Sequence, residues 1–502
     1  MSVETPDAVK PDISPVSGNR RWLALGVIAV AQLLIVLDAT IVNIALPTAQ
    51  QALDISDADR QWMITAYTLA FGGLLLLGGR IADYTGRKRA FIIGLLGFAA
   101  ASALGGLAQN AEMLFSARAL QGAFGALMAP AALSLLTVTF TDAKDRARAF
   151  GVYGAIAGGG GAIGLLLGGV LTEYASWRWT LLVGTPIAIV AALAAVRFVD
   201  ESKAEGSTRY DLPGALTSTL GLVALVYGFT KASEDGWGST TTIGYLVLAA
   251  ALLAAFVFIE LRSSHPLLPM RVILNSNRAG AYLTALLIGA GLFGMFLFLT
   301  FYLQATLGYS ALRTGVAFLP FTVGIILGAG LAAQIQTRVG PRLLMFAGTL
   351  LAALGLVLLT QIGVDTGYWS HVFPGVLVLS FGMGVTFGPM SNTALIGVSD
   401  HDAGVASALI NTTQQIGGSL GTALLNTIFT SAVASYLVDH AASATTPDQL
   451  TALTTTATVH SYTIAFWVSA ALIGVASLIA VTMVRAGREE AASSAAPAHA
   501  GM

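Results

Sequence analysis

The 502-residue sequence contains no cysteine, which excludes disulfides, thiol nucleophiles and cysteine-based metal sites. Charge is scarce as well. Asp, Glu, Lys and Arg make up 10% of the chain, against about 25% in an ordinary soluble domain. The two signs nearly cancel, at a formal net charge of −1, so there is no basic footprint for nucleic acid. A nucleotide-binding glycine loop and a placed nucleophile are also missing. The histidines fall in loops or at the ends of apolar runs, with no pair at metal-ligand spacing. Neither enzyme chemistry nor a metal or cofactor is expected. The opening residues are polar, and Arg20-Arg21 lead into a long apolar run without an A-x-A site. That pattern predicts a retained first helix, not a signal peptide.

What the chain has in abundance is apolar length. Hydrophobic residues make up 55% of it, and the mean hydropathy is +0.77. Runs near the ~20 residues needed to cross a bilayer as a helix give fourteen candidate spans. The first six are 22–46, 61–80, 90–108, 113–138, 147–172 and 178–198. Two more, 213–231 and 241–261, lie between polar links, followed by 279–305, 314–336, 341–362, 371–397, 404–435 and 460–484. The expected architecture is an all-α integral membrane protein with 14 transmembrane helices: two six-helix bundles and two inserted linker helices. Its parts are a tail (1–21), a first bundle (22–198), a linker (199–278), a second bundle (279–485) and a disordered tail (486–502). An even number of spans puts both termini on one side. With that side cytoplasmic, all of the 25 Lys and Arg lie inside except Arg60, Arg118, Arg178, Lys231 and Arg313.

One loop stands out, Gly79-Arg80-Ile81-Ala82-Asp83-Tyr84-Thr85-Gly86-Arg87-Lys88-Arg89, held between two spans. It is a cationic turn with a single acid, and its glycines allow a tight reversal. Its outline recurs in Gln334-Ile335-Gln336-Thr337-Arg338-Val339-Gly340-Pro341-Arg342, where Ile335, Gly340 and Arg342 match Ile81, Gly86 and Lys88 but Thr337 replaces the acid. The internal echo fits parallel repeats. Between the last two spans, 439–460 is Thr/Ala-rich; the sequence predicts a cap there with a short helix over Pro447–Thr454.

Charges inside the spans are the strongest functional signal. Asp38 lies well within the first span, where a carboxylate costs ~2.5–3.5 kcal/mol on insertion scales. Arg118 lies within the fourth. Counted at ~1.5 Å per residue from the same face, their depths agree within one helical turn. A shared polar site is the economical solution, although a purely structural ion pair stays open. The fifth span is glycine-rich, and Gly160, Gly164, Gly168 and Gly169 suit close packing or a gating hinge. Aromatics crowd the ninth span, including Phe296 and Tyr302, and would line a pocket or face lipid. Asn411, Gln414 and Gln415 form a polar turn in the thirteenth. Such groups hydrogen-bond across helices or line a cavity. With Asn43 and Gln121 from the spans of the acid and the base, these residues form the candidate substrate pocket.

The loop pattern G-x-x-x-D-x-x-G-R-K, the first-span acid and the fourth-span base resemble the fourteen-helix drug:proton antiporter branch of the major facilitator superfamily. The resemblance extends to Gly388-Pro389-Met390-Ser391-Asn392 and the Asn411–Gly421 run. It implies that Asp38 and Arg118 couple transport to protons, and that Gly79, Asp83, Gly86, Arg87 and Lys88 form a gating loop. In that scheme Asp83 latches against the start of the thirteenth span when the transporter opens outward. The family's fifth-helix pattern G-x-x-x-G-P-x-x-G-G has Leu165 where proline stands, and the second bundle has no mid-membrane acid. The function implied is export of lipophilic small molecules in exchange for protons, powered by the proton gradient, by a monomer in the cell membrane. Neutral or singly charged compounds fit best. The alternatives are an uncoupled exporter or facilitator of a native metabolite, and a transport-inactive receptor or scaffold.

Overall fold

In lipid every backbone polar group must be bonded within its own segment, and the chain meets that demand with helices. The structure, a computed structural model, describes residues 18–140, 142–203, 211–263, 266–268, 270–398, 403–441 and 444–486. The first seven helices are α1 Gly18–Ala52, α2 Trp62–Thr85, α3 Arg87–Gly106, α4 Ala111–Thr139, α5 Ala143–Tyr174, α6 Trp179–Leu182 and α7 Gly184–Phe198. An inserted pair follows, α8 Leu212–Asp235 and α9 Thr240–Arg262, then the single turn α10 Met270–Ile273. The remainder are α11 Ser276–Phe301, α12 Ala311–Ala317, α13 Leu319–Val339, α14 Pro341–Leu359, α15 Phe373–Leu395, α16 Ala403–His440 and α17 Pro447–Met483. Short π-helical turns continue α11 at its end (Tyr302–Thr306) and lead into α15 at its start (Tyr368–Val372).

Among the described residues, 13 helical segments are long and apolar enough to cross a membrane. The fifth expected span is α5, whose apolar portion is the shorter stretch Gly160–Tyr174. The predicted separate helix over Pro447–Thr454 is corrected: α17 runs unbroken for 37 residues from a capping box of Thr446 and Gln449. No glycine or helix-breaking residue lies between that box and the apolar run, so the helix has no reason to stop. The tails, and His265 and Pro269 of the polar link, lie outside the described residues.

Packing repeats between the two halves. In the first, α2 and α3 pack on α4, α1 on α5, and α7 on α3 and α1. In the second, α13 and α14 pack on α15, α11 on α16, and α17 on α14 and α11. The two matching corners use the same backbone device, Gly86 at φ 116 and Gly340 at φ 86, a region open to glycine and strained for other residues. The inserted pair packs chiefly on itself, with α8 also resting on α2 and α16.

We call the end holding Gly86 and Gly340 the basic end. At the opposite, far end the halves are joined. Gln304 Nε2 donates to Ile44 O at 2.9 Å, and Glu173 Oε2 accepts from Leu312 N at 2.9 Å. Asn426 Nδ2 donates to Asp57 O at 2.8 Å. Deeper along the α2–α16 seam, the Thr68 and Ser419 hydroxyls are 2.6 Å apart.

Candidate functional site

The buried polar cluster of the first half is assembled from four helices. Arg118 Nη1 lies 2.7 Å from Asp38 Oδ2, with the two residues 2% and 6% exposed. Gln121, one turn along α4 from Arg118, donates from Nε2 to Asp38 Oδ1 at 2.9 Å. Its Oε1 accepts from Arg118 Nη1 at 2.9 Å, and Ser102 of α3 is 2.8 Å from Nε2. Arg118 Nε donates to Met63 O at 3.0 Å, and its guanidinium lies 4.5 Å from the Tyr67 ring centroid. Every charge is thus paired, which burial of an ion pair requires. Gln121 therefore belongs to this cluster and not to a substrate pocket. Ser102 and Tyr67 are members that sequence reasoning missed; each is a polar residue at depth in an otherwise apolar run.

A second feature lies on the opposite side of α1. A cavity of about 260 Å³ is lined by Thr40 and Asn43 of α1, Gly161 and Leu165 of α5, Phe293 and Phe296 of α11, Phe321 and Thr322 of α13, and Gln414 of α16, among others. On each of these helices the lining residues sit just to the basic side of the far-end contacts. Successive residues turn 100° around a helix, so Asp38 points away from a wall made by Thr40 and Asn43. The acid instead borders the small gap between α1, α3 and α7. Asn43, Phe296 and Gln414 line the cavity as the sequence reading expects. Tyr302 does not. Its ring is fully buried, and its hydroxyl donates to Gly363 O at 2.9 Å beyond the far-end closure. Asn411 is exposed one turn nearer the basic end, and Gln415 packs its Cβ against Gly72 of α2.

The glycines of α5 serve packing. A Cβ on Gly160 would lie 3.1 Å from Val36, one on Gly164 would overlap Thr40, and one on Gly168 would lie 2.7 Å from Ile41 O. This row at four-residue spacing lets α1 and α5 meet backbone to backbone. Gly169 turns to the other half, where a Cβ would lie 2.6 Å from Leu312. The expected loop is also well braced. Asp83 pairs with Arg87 at 2.9 Å, and Lys88 Nζ donates to Val196 O at 2.8 Å. Glu201 accepts from the backbone of Lys88 and Arg89 at 3.0 and 3.3 Å, so a distant carboxylate caps α3 where its dipole is positive. Gly79 rests on Pro130, and Gly86 leaves room for Glu201. Asp83 is thus engaged within its own loop in this far-end-closed form.

A buried acid–base pair beside a cavity enclosed by two repeated halves is the arrangement of a transporter, and the family profile agrees. The Major Facilitator Superfamily profile matches residues 28–422. The chain belongs to the Major Facilitator Superfamily. This transporter is 49% identical over 486 residues to puromycin resistance protein pur8 of Streptomyces alboniger, covering 94% of each chain. It is 39% identical over 409 residues to cephamycin export protein CmcT of Amycolatopsis lactamdurans, covering 81% of this chain and 84% of that one. Its fold matches the crystal structure of a bacterial homologue of the human lysosomal transporter Spinster, inward-facing and unoccupied. That match has a TM-score of 0.64 at 16% identity over 92% of this chain and 98% of the other. As a member of the family the protein is a multi-pass membrane transporter and not an enzyme.

Proposed function

We propose that this transporter exports lipophilic, antibiotic-like small molecules across the bacterial cell membrane in exchange for protons, by alternating access. The resistance and export roles printed for its relatives support the substrate class. The observation that carries the coupling is the Asp38–Arg118 pair, buried at the depth of the cavity but on the other face of α1. Substrate and proton then act on one helix from opposite sides. A proton taken by Asp38 neutralises the carboxylate that holds Arg118 and Gln121, loosening α1 from α4. Because the glycines of α5 lock that helix to α1, the cavity wall of Thr40, Asn43 and Leu165 moves as one body. No ionisable side chain is among the lining residues, which suits neutral or singly charged lipophiles. The proton gradient is the only energy source in this scheme, and the unit is a monomer with no bound cofactor. The basic end, with both termini, faces the cytoplasm.

In this reading the far end is the outer face, and the far-end-closed form receives substrate from the cytoplasm or inner leaflet. The test is purified protein in proteoliposomes with a panel of lipophilic dyes and an imposed pH gradient. Dye movement that follows the gradient and reverses with its sign supports exchange. Movement down the dye's own gradient, indifferent to pH, would favour an uncoupled facilitator.

A further inference from the structure

Arg60 is read from the sequence only as one of few cations on the far side, yet it is 3% exposed. It leaves the corner between α1 and α2 and enters the opposite half. Its guanidinium carbon lies 4.3 Å from the ring centroid of Phe301, 4.7 Å from Phe429 and 5.9 Å from Phe298. Tyr462 stacks on Phe429 at 5.1 Å and presents its hydroxyl to the Arg60 side chain. Nε donates to Asn426 Oδ1 at 3.3 Å. Nη1 is 3.3 Å from Asp57, whose side chain is 65% exposed. Nη2 has no hydrogen-bond partner among the described residues. A solvated carboxylate at the rim contributes little, so the ring faces carry much of the burden of holding this charge.

The cage and its occupant come from different halves. Phe298 lies on α11 and Phe429 on α16, while Arg60 precedes α2. Parting the halves at the far end withdraws Arg60 and leaves the rings facing the opened cleft. Ring faces arranged for one flat, delocalised cation will accept another. We propose that this cage is a binding site for a planar organic cation of the guanidinium type, filled by Arg60 when the far end is closed. It becomes available to a cation from the far compartment when the halves part. The proposal rests on the alternating-access reading above, but not on proton coupling. The cage is separate from the central cavity, whose lining includes none of Arg60, Phe298, Phe301 and Phe429. A cation seated there holds the far end open, and so acts as an inhibitor from that side.

The test is calorimetric titration of methylguanidinium into protein in lipid nanodiscs, with no gradient. Arg60→Ala empties the cage, and saturable binding near ~1 mM is expected from a few desolvated ring contacts. The wild type should bind at least about tenfold more weakly, because its own side chain competes. Adding Phe301→Leu and Phe429→Leu keeps apolar volume but removes the ring faces, and should weaken binding by about tenfold again. Equal binding to wild type and Arg60→Ala, or binding that survives the leucines, overturns the proposal. If Arg60→Ala does not fold, the wild type and the double leucine variant decide it. Labels at the far ends of α2 and α16 should move apart in the leucine variant, and unchanged distances overturn the cage. Failure of gradient-driven dye transport would leave the titration readable, so the two ideas fail separately.

Discussion

Arg118 and Arg60 are the two most deeply buried arginines among the described residues, at 2% and 3% exposed, and they are held by different chemistry. Arg118 sits within the first half against a carboxylate that is itself buried, 2.7 Å away. Arg60 crosses from the first half into the second and meets ring faces. A carboxylate can take up a proton, so the bond to Arg118 can be switched chemically. Phenylalanine rings cannot, so the hold on Arg60 yields only when the halves move. The first half therefore contains the titratable element, and the second half supplies a passive socket that reports the state of the far end.

The comparison breaks most severely at Arg118. Arg118→Ala leaves Asp38 and Gln121 buried without their cation, which should cost about 3–5 kcal/mol. Thermal unfolding in detergent should show the loss, together with an end to transport. A stability within error of wild type would mean that water or another group replaces the guanidinium. Arg60→Ala should cost less, about 2 kcal/mol, because the losses are ring contacts, the hydrogen bond to Asn426 and a weak pair with the exposed Asp57. If the two variants are equally destabilised, the distinction between a charge pair and a socket is wrong.

A finer contrast lies within the ninth span. Phe296 lines the cavity, whereas Tyr302 anchors the far end through Gly363 and Thr366. Phe296→Ala should change the relative export of dyes of different shape by several-fold, on the order of 1 kcal/mol per substrate. Tyr302→Phe should lower all rates alike, through the loss of about 0.5–1.5 kcal/mol of hydrogen bonding. Equal, shape-independent losses in both would remove Phe296 from the substrate wall.

These contrasts also show where the sequence is readable. Asp38 and Arg118 are legible because a charge in an apolar span has few places to go, and matched depths suggest a partner. The repeat is legible because glycine is needed at Gly86 and Gly340, where the backbone turns through positive φ. Azimuth is harder. Phe296 and Tyr302 belong to one aromatic run, but a π-helical turn begins at Tyr302 and ends the regular rotation there. Asn411, Gln414 and Gln415 likewise look equivalent in sequence, yet only Gln414 lines the cavity. Arg60 and Glu201 were invisible as structural elements. Their cross-element partners lie 366 residues away in one case and 113 and 112 in the other, and nothing in the local pattern announces them.

The central claim is that proton exchange at Asp38 moves the two halves, while Arg60 only follows. It is tested most directly by measuring distances between labels at the far ends of α2 and α16 as pH is varied. In the wild type the balance of closed and parted forms should shift with pH. In Arg60→Ala the distances should be longer throughout but still respond to pH. In Asp38→Asn, which keeps the side chain's size but cannot exchange a proton, the distribution should be the same at every pH. A pH response in Asp38→Asn equal to that of the wild type would contradict the account.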